Sequence, residues 1–193
     1  MTELLTPTDQ AVPAPGPTSK DAAATALVLG FAGAAWGGWA HDGSPASWSL
    51  PLTIGSLLGL LLAGVAGVRT FRRREGGSVM REAGGRRIYY RAVAVEVALI
   101  VLGVAALDLA GHPEYLAAWI LFVVGVHFVP LGRLFRVQGL TVAGVLLPVV
   151  AVAAAVLGAT GHAAPAAVAG TGGLVIMLVV GAVALYQSMR RTG

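Results

Sequence analysis

Apolar residues come in long unbroken runs along this chain, and polar residues fall in short clusters between them. Six runs stand out, at roughly 22–40, 50–68, 92–110, 115–132, 140–159 and 166–187. A helix that crosses a bilayer needs about 17–25 mostly apolar residues, and every run reaches that length; the fourth is the shortest. Backbone groups in hydrocarbon must be paired within their own segment, so the runs predict helices rather than single strands. A closed barrel would require polar and apolar positions to alternate, and Leu57-Leu58-Gly59-Leu60-Leu61-Leu62 does not. The predicted fold class is all-α, a polytopic membrane protein with six transmembrane helices over 22–189. Residues 1–21, rich in Pro and Thr and poor in aromatics, read as a disordered tail. They lack the basic start of a signal peptide, since Lys20 is the only base before the first run.

The charged residues give the runs a direction. Lys20 precedes the first run. Arginines 69, 72, 73, 74, 81, 86, 87 and 91 crowd the connection at 69–91 between the second and third. Arg133 and Arg136 follow the fourth, and Arg190 and Arg191 follow the sixth. The first, third and fifth connections carry no base. Six helices place every base on one side, and the positive-inside rule makes that side cytoplasmic. Both ends of the chain are therefore expected in the cytoplasm, with the protein in the cell (plasma) membrane. The arginine-rich loop reads as a topology signal and a contact for lipid headgroups. Nucleic acid is not expected, because few stacking aromatics are interleaved with the arginines.

Composition narrows the class further. Of 193 residues, 56% are hydrophobic and 11% charged, against about 25% charged in soluble domains; mean hydropathy is +0.80. The runs leave no room for a separate soluble domain. With no cysteine, disulfides, thiolate metal sites and cysteine nucleophiles are excluded. Small residues at four-residue spacing, Gly55 with Gly59 and Ala63 with Gly67, predict close helix packing. Pro148 and Pro130 should bend the fifth and fourth helices. Trp36, Trp39 and Trp48 fall where an outer aromatic belt is expected.

Chemistry must come from the few polar groups inside the spans. Glu96 lies five residues after Arg91, some 7–8 Å inward along a helix. An ionisable residue in the membrane is a functional-site hypothesis by default. His127 lies six residues before Arg133, about 9 Å from it along the axis. The third and fourth helices join through Gly111-His112-Pro113, so they should be antiparallel neighbours. Glu96 and His127 then reach nearly the same depth and form an acid–base pair if they face each other. A carboxyl held neutral in a medium of low dielectric suits a general acid, and an imidazole can orient or reset it. The structural alternative is a hydrogen bond that locks the hairpin, or a Glu96 that reaches the surface beside Arg91. A second cluster gathers on the outer side: His41, His112 and His162, with Asp42, Asp108 and Glu114 nearby. Three imidazoles with carboxylates could bind zinc. Gly111, Pro113, Gly161 and Pro165 also read as ordinary helix stop and start signals around those histidines. No metal or other cofactor is predicted.

The run His127-Phe128-Val129-Pro130-Leu131-Gly132-Arg133-Leu134-Phe135, with Glu96 upstream and Glu114-Tyr115 between, resembles a motif of small bacterial six-helix membrane proteins whose activities are largely uncharacterised. The resemblance covers residues 88–140 and implies that Glu96, His127 and Pro130 belong together. In size and in its single intramembrane acid the chain is also similar to small membrane-bound terpene cyclases. That likeness implies an enzyme acting on a lipophilic isoprenoid-type substrate by proton-initiated cyclisation or isomerisation. Glu96 would be the acid and His127 its partner. Tyr90, Trp119, Phe122 and Phe128 would bind substrate and stabilise cations. A small proton-coupled transporter or channel, and a non-catalytic membrane subunit, remain alternatives. The expected partners are membrane lipids and a lipophilic small molecule; the sequence leaves the oligomeric state open. No P-loop, dinucleotide glycine pattern or serine nucleophile elbow is apparent.

Overall fold

The computed structural model describes residues 18–72 and 83–190. Among the described residues there are six long helices and no strand. They are α1 (Ser19–Ala40), α2 (Ser49–Arg72), α3 (Ala83–Leu109), α4 (Leu116–Phe135), α5 (Gln138–Ala159) and α6 (Pro165–Arg190). Single 3-10 turns, Ala46–Trp48 and Pro113–Tyr115, lead into α2 and α4. All six helices are long and apolar enough to cross a membrane. The chain is thus all-α, as the runs predict, and has the make-up of a multi-pass membrane protein.

Two helices start earlier than apolar runs suggest. α1 begins at Ser19 because Thr18 caps it: the Asp21 amide donates to the Thr18 hydroxyl at 3.0 Å. Asp21 in the first turn also complements the positive end of the helix dipole. The rest of the expected disordered tail, 1–17, lies outside the described residues. α3 begins at Ala83, nine residues before its apolar run. Arg69 and Arg72 close the last turn of α2, and Arg86, Arg87 and Arg91 lie on α3. The expected basic loop at 69–91 is therefore helical at both ends. Arginine is a good helix former, and a helix can leave the hydrocarbon without exposing unpaired backbone, so apolar length alone underestimates it. Arg73, Arg74, Arg81 and Arg191 lie outside the described residues.

Neighbouring helices pack antiparallel, and glycine sets how close they come. A Cβ at Gly30 would lie 2.7 Å from both the Gly59 carbonyl oxygen and the Ala63 nitrogen, so α1 and α2 meet backbone to backbone. α4 and α5 do the same, since a Cβ at Gly132 would stand 2.7 Å from the Thr141 nitrogen. Gly33 faces Met177 across α1 and α6. Small residues permit this approach where lipid supplies no hydrophobic drive between helices. The spacing of Gly55, Gly59 and Ala63 thus serves packing inside one chain: Gly59 and Ala63 meet α1, and Gly55 meets Leu174 of α6. Pro148 lies inside α5 with its ring over Gly125 of α4. Gly111 and Gly161 take φ of 72° and 71°, the left-handed conformation that ends α3 and α5 and that a side chain resists.

α1, α4, α5 and α6 form the centre. α2 packs on α1 and α6, whereas α3 packs on α4, so these two sit on different flanks. Trp39 and Trp48 are exposed, as a belt requires, but Trp36 is buried. A Cβ at Gly173 would lie 3.0 Å from its ring, so Trp36 belongs to the α1–α6 interface rather than to the expected belt. The antiparallel order brings every described lysine and arginine to one end of the bundle, called the basic end below. Gly30→Ala should lower the stability of the solubilised protein by about 1–3 kcal/mol. A drop in the midpoint of detergent unfolding checks this, and an unchanged midpoint would contradict the α1–α2 contact.

Candidate functional site

α3 meets α4 along one narrow seam. Tyr89, Glu96 and Gly103 recur every seven residues on α3, and a helix turns only about 20° out of line per heptad. Facing them on α4 are Phe135, His127 and Trp119. At the middle level His127 Nε2 stands 3.5 Å from Glu96 Oε2, with side chains 7% and 18% exposed. The imidazole also hydrogen-bonds the backbone of Ala92, one turn before Glu96. The Trp119 indole N–H donates to the Leu99 carbonyl at 3.1 Å, and its ring lies directly over Gly103. Nearer the basic end the rings of Tyr89 and Phe135 meet edge to face, 6.3 Å between centroids. The acid–base pair expected from the sequence is therefore formed, at the depth its spacing implies. Each member offsets the cost of burying the other, and the pair can hold or pass a proton between two defined atoms.

A cavity of about 250 Å³ opens beside this seam at the basic end, between α1, α3, α4 and α5. Val28, Leu29, Tyr89, Phe128, Leu131 and Phe135 give it apolar and aromatic walls, and Lys20, Asp21 and Thr25 supply its polar side. Neither Glu96 nor His127 is among its lining residues. They are tied to it through their helices: Tyr89 shares the Glu96 face of α3, and Phe128 is the residue after His127.

The aromatic candidates do not gather in one place. Phe128 lines the cavity. Tyr90 is 63% exposed and points away from the bundle; the residue that reaches the cavity is Tyr89, seven before Glu96, where Tyr90 is a further 100° around the helix. Trp119 and Phe122 stack with ring centroids 6.3 Å apart. They line a separate groove of about 300 Å³ with Leu107 and Ala151. Trp119 is eight residues from His127, about 12 Å along the axis. The cavity residues missed by the sequence reading, Lys20, Asp21, Thr25 and Tyr89, carried two signals. One is the Thr-x-x-Asp helix start, and the other is the seven-residue spacing from Tyr89 to Glu96.

The structure does not bring the three outer histidines His41, His112 and His162 together. Among the described residues no three His, Cys, Asp or Glu side chains come together as a metal-binding set. Two of the outer imidazoles are engaged locally. His41 Nδ1 bonds the Gly37 carbonyl at 2.9 Å and its Nε2 stands 3.5 Å from the Thr53 hydroxyl. His112 pairs with Glu114 at 3.0 Å. The amides of His112 and His162 donate back to the Leu107 and Leu157 carbonyls, completing the ends of α3 and α5.

Set against known proteins, the chain matches no family model, no curated protein and no solved structure. Trp119→Phe, which removes the seam's indole donor, should lower stability by about 0.5–1.5 kcal/mol. Detergent unfolding measures it, and a wild-type midpoint would contradict the α3–α4 register.

Proposed function

We propose that this chain is a multi-pass membrane protein that binds a compact lipophilic molecule of isoprenoid type in the cavity at its basic end. The supporting observation is the cavity itself. Its aromatic and aliphatic walls suit an apolar body, and Lys20, Asp21 and Thr25 offer a polar head a place to hydrogen-bond. Its size lies just below the roughly 300 Å³ at which small-molecule sites begin, which favours a small ligand or one end of a longer one. The positive-inside rule puts the basic end in the cytoplasm of the cell membrane, so α1 begins and α6 ends on that side and the ligand enters from the inner leaflet.

A second reading is favoured by the 3.5 Å pair on the two helices that carry the cavity walls Tyr89 and Phe128. In it the protein is an enzyme. The Glu96 carboxyl gives its proton to an alkene carbon of the substrate, the resulting cation rearranges against Tyr89 and Phe128, and a proton returns to the Glu96–His127 pair. No atom is gained or lost, so the product is an isomer. This requires the ligand to reach past Tyr89 towards Glu96.

Both readings are tested by native mass spectrometry of purified protein given a panel of prenylated aromatic and polyprenyl molecules. The wild type should carry an adduct that Ala24→Phe, which fills the cavity, reduces at least about tenfold; this corresponds to about 1.4 kcal/mol. No adduct in the wild type, or equal adducts in both, would overturn the binding reading. In the enzyme reading the wild type alone yields an isomer of unchanged mass, while Glu96→Gln keeps the adduct and loses the product. Identical product profiles would remove that reading and leave binding intact. Orientation has its own check, since the chain has no cysteine. In whole cells a membrane-impermeant maleimide should label Thr160→Cys and not Arg190→Cys; the reverse pattern would invert the assignment.

A further inference from the structure

The outer side of α2 carries a second concave surface, away from the Tyr89 cavity. It is a groove between α1 and α2, of about 630 Å³, with Ala63, Gly64 and Gly67 as its floor. Leu27, Val68 and Phe71 form its sides, and Arg72 stands at its basic end. The floor is low for a definite reason. A Cβ at Gly64 would meet nothing within 4 Å, and one at Gly67 would meet only Leu27, at 3.5 Å. Neither glycine is needed for helix contact, unlike Gly30 and Gly59. Among the described residues, none fills this open volume.

The charge at the mouth identifies what fits. Arg72 lies eight residues from Gly64, about 12 Å along the helix, so an apolar chain on the glycine floor would end at its guanidinium. Phe71, the residue before Arg72, is 75% exposed, and an aromatic at that level suits the boundary between acyl chains and headgroups. An apolar trough closed at one end by a cation is complementary to a molecule with an acyl chain and an anionic head. We infer that the α1–α2 groove holds one anionic phospholipid from the surrounding bilayer, its acyl chain on Gly64 and Gly67 and its phosphate at Arg72. Arginine matches phosphate through several donors in a fixed plane. The site is independent of the Tyr89 cavity and stands whether or not that cavity binds its proposed ligand.

The test is native mass spectrometry of the full chain in a mild detergent, titrated separately with phosphatidylglycerol and phosphatidylcholine of the same acyl chains. The wild type should retain the anionic lipid preferentially. Arg72→Gln should weaken that retention about fivefold, the effect of one arginine at an anionic headgroup, and leave the phosphatidylcholine signal unchanged. Gly64→Leu, which places a side chain in open groove, should weaken it while the thermal midpoint in lipid-free detergent stays at the wild-type value. Equal retention of the two lipids by the wild type would overturn the site. So would a Gly64→Leu variant that folds and still holds the anionic lipid as the wild type does, because the headgroup contact would then be independent of the groove. Should Gly64→Leu not fold, Arg72→Gln, whose side chain is exposed, decides alone: undiminished retention overturns the proposal.

Discussion

Everything in this bundle depends on how its helices hold one another without water between them to drive association. In hydrocarbon, apolar side chains gain nothing by leaving lipid for protein, so close backbone contact and polar contacts between helices carry the burden. The four central helices use the first device, through glycines that bring α1 against α2 and α4 against α5. α3 uses the second. It packs chiefly on α4, and none of the residues in its membrane-spanning window is buried. What fixes it is a seam of polar side chains aimed at its face: His127 on Glu96 and on the Ala92 backbone, and Trp119 on the Leu99 carbonyl.

The position of α3 matters because one of its residues is a wall of the cavity. Tyr89 extends from the same face as Glu96, two turns nearer the basic end, and rests on Phe135. The intramembrane acid–base pair therefore does structural work for the proposed binding site whether or not it also moves a proton. Charge is segregated between the two ends. The basic end has the Tyr89 cavity with Lys20 and the α1–α2 groove with Arg72, and the opposite end spends its histidines on helix ends.

Much of this was legible in the amino-acid order. Apolar runs located all six helices, because length in hydrocarbon is a strong constraint. The five-residue step from Arg91 to Glu96 and the six-residue step from His127 to Arg133 put the two side chains at one depth, and the short Gly111-His112-Pro113 connection put their helices side by side. Helix starts were less legible, since Thr18 and the arginines of α3 extend helices beyond the apolar part. The choice between Tyr89 and Tyr90 needed the angular position of each on a face shared with Glu96. Trp36 illustrates the same point: its depth suits a belt, but its direction, towards Gly173, makes it core. Three histidines in three loops suggested a metal centre only because sequence gives proximity along the chain and not where side chains converge.

Glu96 and His127 stand 3.5 Å apart, and their direct contact is what holds α3 in place. A double-mutant cycle of Glu96→Ala, His127→Ala and the double variant is read by the unfolding free energy in detergent. A direct pair predicts a coupling of about 0.6–1.7 kcal/mol, the span of measured interhelical contacts in membranes. Effects of the two substitutions that simply add, within about 0.3 kcal/mol, would contradict it and detach α3 from the account given for the cavity.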